Sequence, residues 1–272
     1  HASFLHPQLM IWNIDPVLFD LGPLEIRYYG VFFALGLFLA YSLARYMITR
    51  KRSESASKNL SLETLDKLSV YLIIGLVAGA RFGHILFYEL DYYLANPLQI
   101  LKVWEGGLAS HGAAIGLLIA YSLFLWRNKK VKLWDYADIM VVVATLPVSL
   151  IRLGNFFNSE LVGRETEAPW GVVFSRVDEL TRHPSQLYEF GYGMLLFAIL
   201  FPLWMKKHKT AKPGFFFGLF FTLYFAMRFT VEFFKDFPLH EGFFNLTTGQ
   251  MLSLPFFAVG VLVLYHSYAK NR

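Results

Sequence analysis

YYGVFFALGLFLAYSLARYMI, residues 28–48, is the stretch on which the fold turns. One charge, Arg45, interrupts its 21 residues near the end. A helix needs about 20 mostly apolar residues to cross the hydrocarbon of a bilayer. Six further runs of the same kind follow, at 68–90, 108–126, 134–157, 187–205, 214–234 and 249–268, with Arg81 interrupting 68–90 and Arg152 interrupting 134–157. The composition agrees. Of 272 residues 56% are hydrophobic and 17% charged, and the mean hydropathy is +0.43, whereas soluble domains carry roughly a quarter charged residues. Disorder, collagen and a disulfide scaffold are excluded on the same figures. The absence of cysteine excludes thiol catalysis and thiolate metal sites. The expected fold is an all-α polytopic integral membrane protein with seven transmembrane helices. No linker or repeat divides the chain, so residues 10–272 read as a single domain. Met10 reads as the native start and residues 1–9 as a non-native remnant.

Working outward from the first span, the basic residues set the orientation. Arg45 at its far end and Arg50, Lys51, Arg52, Lys58 and Lys67 beyond it lie on one side. Arg127, Lys129, Lys130 and Lys132 follow the third span, Lys206, Lys207, Lys209 and Lys212 the fifth, and Lys270 and Arg272 end the chain. These sixteen fall on one side, which is then cytoplasmic, against six on the other and three inside spans. The alternation predicts an N-terminus outside and a C-terminus inside. The net charge of +5 is therefore a signal of orientation, not of a nucleic-acid partner. Between the fourth and fifth spans lies a loop of about thirty residues, 158–186. It reads as a small outward-facing cap, with a short strand at 171–176, because long loops tend to be functional.

Three arginines inside spans need a reason, since each costs about 2.5–3.5 kcal/mol at mid-bilayer even on the lenient scale. Arg81 and Arg152 could each reach the headgroups on their own. Their neighbours argue for more. Arg152 shares a helix face with Asn155, and Asn158 and Glu160 lie just beyond. Arg228 and Glu232 are spaced to pair along one helix, and Arg81, His84 and Tyr88 form one stripe. Gln186 and Glu189 share a face at the start of the fifth span; Tyr29, His111 and Gln250 open the first, third and seventh. Under the predicted orientation all of these lie in the outer half of the bilayer, where random snorkelling would decorate both ends. One polar cavity open to the outer leaflet explains the asymmetry.

Converging arginines in low dielectric favour an anion, and the planar guanidinium fits phosphate bidentately. At headgroup depth that anion is most simply a phospholipid. His111 has an unperturbed pKa suited to proton transfer, as do His84 and His183. No G-x-S-x-G elbow and no H-E-x-x-H metal spacing is present, and no metal or cofactor is expected. Three classes remain open on these residues: an enzyme acting on a phospholipid, an outer-leaflet phospholipid or anion transporter or flippase without chemistry, and a membrane scaffold or receptor.

The run RLGNFFNSELVG, residues 152–163, is more specific. It resembles the signature of the bacterial prolipoprotein diacylglyceryl transferases, G-R-x-G/A-N-F-x-N-x-E-x-x-G, departing at Ile151, where the family has Gly. Tyr29-Gly30 resembles the family's first-span pair. HGAAIG, residues 111–116, resembles its H-G-G-x-x-G element with Ala113 in place of a Gly. RHPSQLYE at 182–189, RFTVEFFK at 228–235 and the Gly249-Gln250-x-Leu252-Ser253 element follow in the family's order. The resemblance covers the chain from about Asp15 onward. It implies transfer of the diacylglyceryl group of phosphatidylglycerol to the lipobox cysteine thiol of a prolipoprotein signal peptide. Glycerol phosphate leaves and a thioether forms, as the first step of bacterial lipoprotein maturation. It also implies a multi-pass protein of the inner membrane, among membrane lipids, with its site toward the periplasm. Tyr29, His111, Arg152, Asn155, Glu160, Gly163, Arg228 and Glu232 carry over as site residues. Read with the cavity, the catalytic group becomes His111, Arg152, Arg228, Glu160 and Tyr29. The lipid would also contact Asn155, Asn158, Glu232, Gly163, Arg81 and Gln250, with His84, Arg182, His183, Gln186 and Glu189 in support.

Overall fold

A computed structural model describes residues 10–22, 25–54, 60–103, 106–237 and 245–269. Residues 1–9 and the basic residues Lys58, Lys270 and Arg272 lie outside the described residues. The protein is mostly helical. Strands β1 (Met10–Trp12), β2 (Val17–Asp20) and β3 (Glu25–Arg27) precede α1 (Tyr28–Glu54). Then come α2 (Leu62–Tyr88), a short α3 (Leu90–Ala95), a 3-10 turn (Pro97–Leu101), α4 (Ser110–Arg127) and α5 (Leu133–Phe157). Strands β4 (Val172–Phe174) and β5 (Thr181–Arg182) interrupt the helices. The chain closes with α6 (Ser185–Lys207), α7 (Phe215–Val231), a 3-10 turn (Glu232–Phe234) and α8 (Thr248–Ala269).

Every expected span is a helix. Six of them, α1, α2 and α5 to α8, are long and apolar enough to cross a membrane. The third, α4, is not among the six. It has 18 residues, about 27 Å at 1.5 Å per residue, and Ser110, His111 and Arg127 occupy its ends. Apolar side chains stay exposed along the flanks, such as Ile73 and Ile74 on α2, Leu118 and Ile119 on α4 and Leu262 on α8. Asn155, Gln186, Glu189, Glu232 and Gln250 are buried instead. Such an inversion suits lipid as the solvent and makes this a polytopic membrane protein.

The chain forms two compact units, one of residues up to Ala44 and from Ala137 onward, the other Arg45–Tyr136. In the first unit α6, α7 and α8 pack in sequence. Asp138, inside the expected span 134–157, is buried within α5 and caps α7, accepting from the Gly214 and Phe217 amides at 2.8 Å each. That placement corrects the expectation that buried polarity gathers at one end only: a helix N-terminus buried at the other end needs an acceptor. The segment 158–186 carries the expected strand as β4, which pairs in parallel with β1 and antiparallel with β5. Phe156, Val172 and Phe174 are its core, with Trp12 against Phe156 at 4.3 Å between ring centroids. The N-terminal strands were not foreseen from sequence.

In the second unit α2 packs on α4. A Cβ on Gly112 or Gly116 would meet the α2 backbone at Gly79, Gly83 or Gly75, so small residues permit the crossing. Ser61 caps α2 by accepting from the Thr64 amide at 3.0 Å.

Candidate active site

The charged side chains of the first unit meet on Glu189. This carboxylate sits one turn into α6 and is 1% exposed. Lys235 Nζ donates to its Oε1 at 3.0 Å. Arg152 Nε, from α5, lies 3.3 Å from Oε2, and Arg228 Nη1, from α7, lies 3.9 Å from Oε1. Glu232, expected to pair with Arg228, is 3.4 Å from Lys235 instead. It lies just past the last turn of α7, against Gly249, where a Cβ would collide with the carboxylate. Gln250 faces the same end. With Thr247 it caps the start of α8.

 The cap is reciprocal: the Gln250 backbone N–H donates to the Thr247 hydroxyl oxygen at 3.2 Å, and Gln250 Oε1 accepts from the Thr247 backbone N–H at 3.0 Å.

A second chain of contacts leads away from Arg152. Its Nη1 donates to Asn155 Oδ1 at 3.3 Å, as the shared helix face predicts. Asn155 Nδ2 donates to Glu160 Oε2 at 2.9 Å, and Asn158 Nδ2 to Glu160 Oε1 at 3.0 Å. Gln186 Nε2 donates to the Glu160 carbonyl at 2.6 Å. The flanking Ser159 and Leu161 adopt φ of 55° and 54°. Left-handed backbone at non-glycine residues stores strain of about 1–3 kcal/mol each and gathers at functional sites. Tyr29, at the start of α1, packs its Cα against Gly154 and lies within electrostatic range of Glu160 and Arg152.

Much of the cationic capacity is unspent. Among the described residues the Arg228 guanidinium makes no hydrogen bond, and Arg152 Nη2 has no protein partner. Buried atoms without a hydrogen-bond partner include Glu189 Oε2, Glu232 Oε2, Gln186 Oε1, Gln250 Nε2 and the Tyr192 hydroxyl. Orphaned polar atoms on this scale cost free energy in an apolar setting unless something polar meets them. Tyr192 and Tyr224, with rings 5.6 Å apart, lie within electrostatic range of both arginines. Sequence reading did not single out Lys235, Tyr192 or Tyr224. Two signals for Lys235 were available: it closes the RFTVEFFK element and follows Glu232 by three residues.

Three expected site residues, Gly163, Arg182 and His183, help to hold the segment 158–186 together. Arg182 donates to Asp178 at 2.6 Å, Asp236 at 2.9 Å and the Gly163 carbonyl at 3.1 Å. His183 Nδ1 shares a hydrogen bond with the Tyr188 hydroxyl at 2.9 Å, and its ring meets Phe234 edge-on. Burial, with the charge of Arg164, holds the His183 imidazole below its ordinary pKa. Gly163 is closed in by the carbonyls of His183 and Phe234, so a side chain there has no room. The Arg182 hydrogen bonds hold the Asp178 carboxyl below the ordinary carboxylate range. A depressed carboxylate stabilises the fold above its unfolded pKa of about 3.9 and stops doing so as pH falls through the folded value. Amide protection across 178–182 is therefore expected to fall as pH drops from about 5 to about 3. Asp178→Asn removes that dependence; an unchanged profile in the variant would sever it from this pair.

In the second unit Arg81 is fully engaged. Its guanidinium donates to the carbonyls of Gln99, Ile100, Lys102, Gly106 and Gly107 and lies 4.9 Å from the Tyr93 ring centroid. An arginine expected to bind lipid thus organises the loop after α3, its donors spent on backbone. His84 is 3.2 Å from Glu89 and stacks on Tyr88, as their stripe predicts. A cavity of about 680 Å³ opens beside them. His111, second residue of α4, is exposed and makes no hydrogen bond among the described residues. No group of three or more His, Asp or Glu among the described residues is placed to hold a metal ion.

Comparison with known proteins bears on what these groups do. The family described as prolipoprotein diacylglyceryl transferase matches residues 16–266. The phosphatidylglycerol–prolipoprotein diacylglyceryl transferase of Tolumonas auensis is 44% identical over 265 residues, covering 97% of this chain and 99% of that protein. Its namesake in Nitrosomonas europaea is 39% identical over 270 residues, covering 97% and 92%. That of Chloroherpeton thalassium is 40% identical over 260 residues, covering 95% and 94%. Matched over nearly all of its length by the family and by these relatives, the chain belongs to the prolipoprotein diacylglyceryl transferases.

Proposed function

We propose that the protein transfers the diacylglyceryl group of phosphatidylglycerol to the lipobox cysteine of a prolipoprotein, with Arg152 and Arg228 as the phosphate clamp. The observation that carries the clamp is the unspent guanidinium of Arg228 beside Arg152, both turned to the buried Glu189. Guanidinium donors without partners in low dielectric attract an anion, and the fork of arginine suits two phosphate oxygens. Glu189 aims the pair; Asn155, Asn158, Glu160 and Gln186 hold the loop that positions Arg152. Tyr29, Gly163, Glu232 and Gln250 complete the lining, while Arg81 shapes the loop after α3.

In the reaction, His111 takes the proton of the substrate thiol, directly or through water. The thiolate sulfur attacks the glyceryl carbon that carries the phosphate. The carbon–sulfur bond forms as the carbon–oxygen bond breaks, and that oxygen leaves on glycerol phosphate. The arginines stabilise the charge that grows on the leaving phosphate. The enzyme supplies no nucleophile, in keeping with a chain that has no cysteine. On this reading α4 spans as a seventh helix. The N-terminus lies outside the cell membrane and the C-terminus inside, and the segment 158–186 is a periplasmic cap.

The deciding experiment incubates the purified protein with phosphatidylglycerol and a lipobox peptide. A mass gain of one diacylglyceryl group on the peptide cysteine is expected. Lipid movement between leaflets without that gain would favour a transporter. His111→Gln is expected to lower turnover by about a hundredfold or more, within the usual range for general base catalysis, with lipid binding unchanged. Substantial turnover in that variant would remove His111 as the base.

A further inference from the structure

Lys235 is 3% exposed, the most deeply buried cation of the site. Its backbone is fixed by a β-bridge to Gly163 and by a hydrogen bond from its N–H to the Glu232 carbonyl at 3.2 Å. Its ammonium spans two carboxylates, at 3.0 Å from Glu189 and 3.4 Å from Glu232. Both carboxylates are 1% exposed. The charge balance follows from this placement. Arg152 and Arg228 alone would be neutralised by Glu189 and Glu232. Each carboxylate would then hold the arginine donors tightly, and the cluster would have no surplus charge to attract an anion. Lys235 takes up one carboxylate charge, so the three cations and the two carboxylates within ion-pair distance of them carry one net positive charge. A phosphodiester carries one negative charge.

We propose that Lys235 is a positioning residue that sets the charge of this site. It occupies Glu189 and Glu232, so that Arg152 and Arg228 keep their donors for a phosphodiester monoanion. The proposal rests on the phosphate-clamp reading above and deepens it. It singles out affinity for the lipid head, not for the peptide.

The test measures kcat and the separate KM values for phosphatidylglycerol and for a lipobox peptide, using the full chain in detergent micelles. Lys235→Met is expected to raise the lipid KM at least about tenfold while moving the peptide KM less than about threefold. Lys235→Arg, which keeps the charge, is expected to stay within about threefold of the parent. Lys235→Met combined with Glu189→Gln restores the net charge of the cluster and is expected to recover part of the lipid KM lost in Lys235→Met. If the single variant does not fold, the double variant and Lys235→Arg still decide. A double variant with the parent's lipid KM supports the charge role; one with a tenfold higher lipid KM overturns it. An unchanged lipid KM in Lys235→Met, equal changes in both KM values, or failure of Lys235→Arg to preserve activity would also overturn it. Arg152→Lys is measured alongside. If it leaves the lipid kinetics untouched, the clamp reading itself fails. If it is impaired and Lys235→Met is not, only the role of Lys235 falls.

Discussion

Lysine in place of Arg152 or Arg228 is expected to lower the transfer rate by on the order of a hundredfold or more, with the protein still folded. The reason is geometric. Arg152 holds Nε 3.3 Å from Glu189 Oε2 as an ion pair without a hydrogen bond and spends Nη1 on Asn155, leaving Nη2 over. Arg228 reaches Glu189 only at 3.9 Å and keeps its donors. Lysine preserves the charge but is a point donor, without the fork that grips two oxygens of one phosphate. Preorganised donors act where charge develops, and loss of one is worth about 2.7–4 kcal/mol in comparable sites. Diacylglyceryl transfer to a lipobox peptide measures the rate, and thermal unfolding in detergent checks the fold. Near-normal rates in both lysine variants would rule out a bidentate clamp.

Glu189→Gln is expected to act first on stability. The carboxylate is the shared counter-ion of three cations drawn from α5, α7 and the turn after α7. Gln keeps the shape and removes the charge, so Arg152, Arg228 and Lys235 are left with Glu232 alone. Breaking a buried ion pair by removing one partner destabilises by about 3–5 kcal/mol, because the remaining charge is uncompensated. A lowered unfolding midpoint in mixed micelles is the measurement. An added anion at millimolar concentration is expected to recover part of the loss, since ligand binding to the folded state stabilises it by mass action. A midpoint equal to the parent's would mean that Glu189 is not the hub.

How much of this was legible in the sequence depends on the reach of each contact. Arg152 and Asn155 are three residues apart, and helical periodicity alone puts them together. The strand at 172–174 was likewise visible, as a short apolar run between turn residues. Arg228 and Glu232 show where local spacing misleads. The helix ends at Val231, Glu232 enters a 3-10 turn, and the geometry of an i, i+4 pair is lost. Glu232 then meets Lys235. Arg81 misled for another reason. Its charge was read against the membrane, but backbone carbonyls of the loop after α3 reach it first. Carbonyls carry no sequence signature.

The sequence by itself determined the class of protein, the positions of the helices and the residues from which a site could be built. Span length and apolarity follow from the thickness of the hydrocarbon, and the motif elements are read in order along the chain. Only the tertiary structure decided which charge meets which. Glu189 draws in a guanidinium 37 positions before it, another 39 positions after it, and an ammonium 46 positions after it. Partners so far apart in sequence are brought together by helix packing, and in low dielectric their choice of one another fixes how much positive charge is left for a substrate.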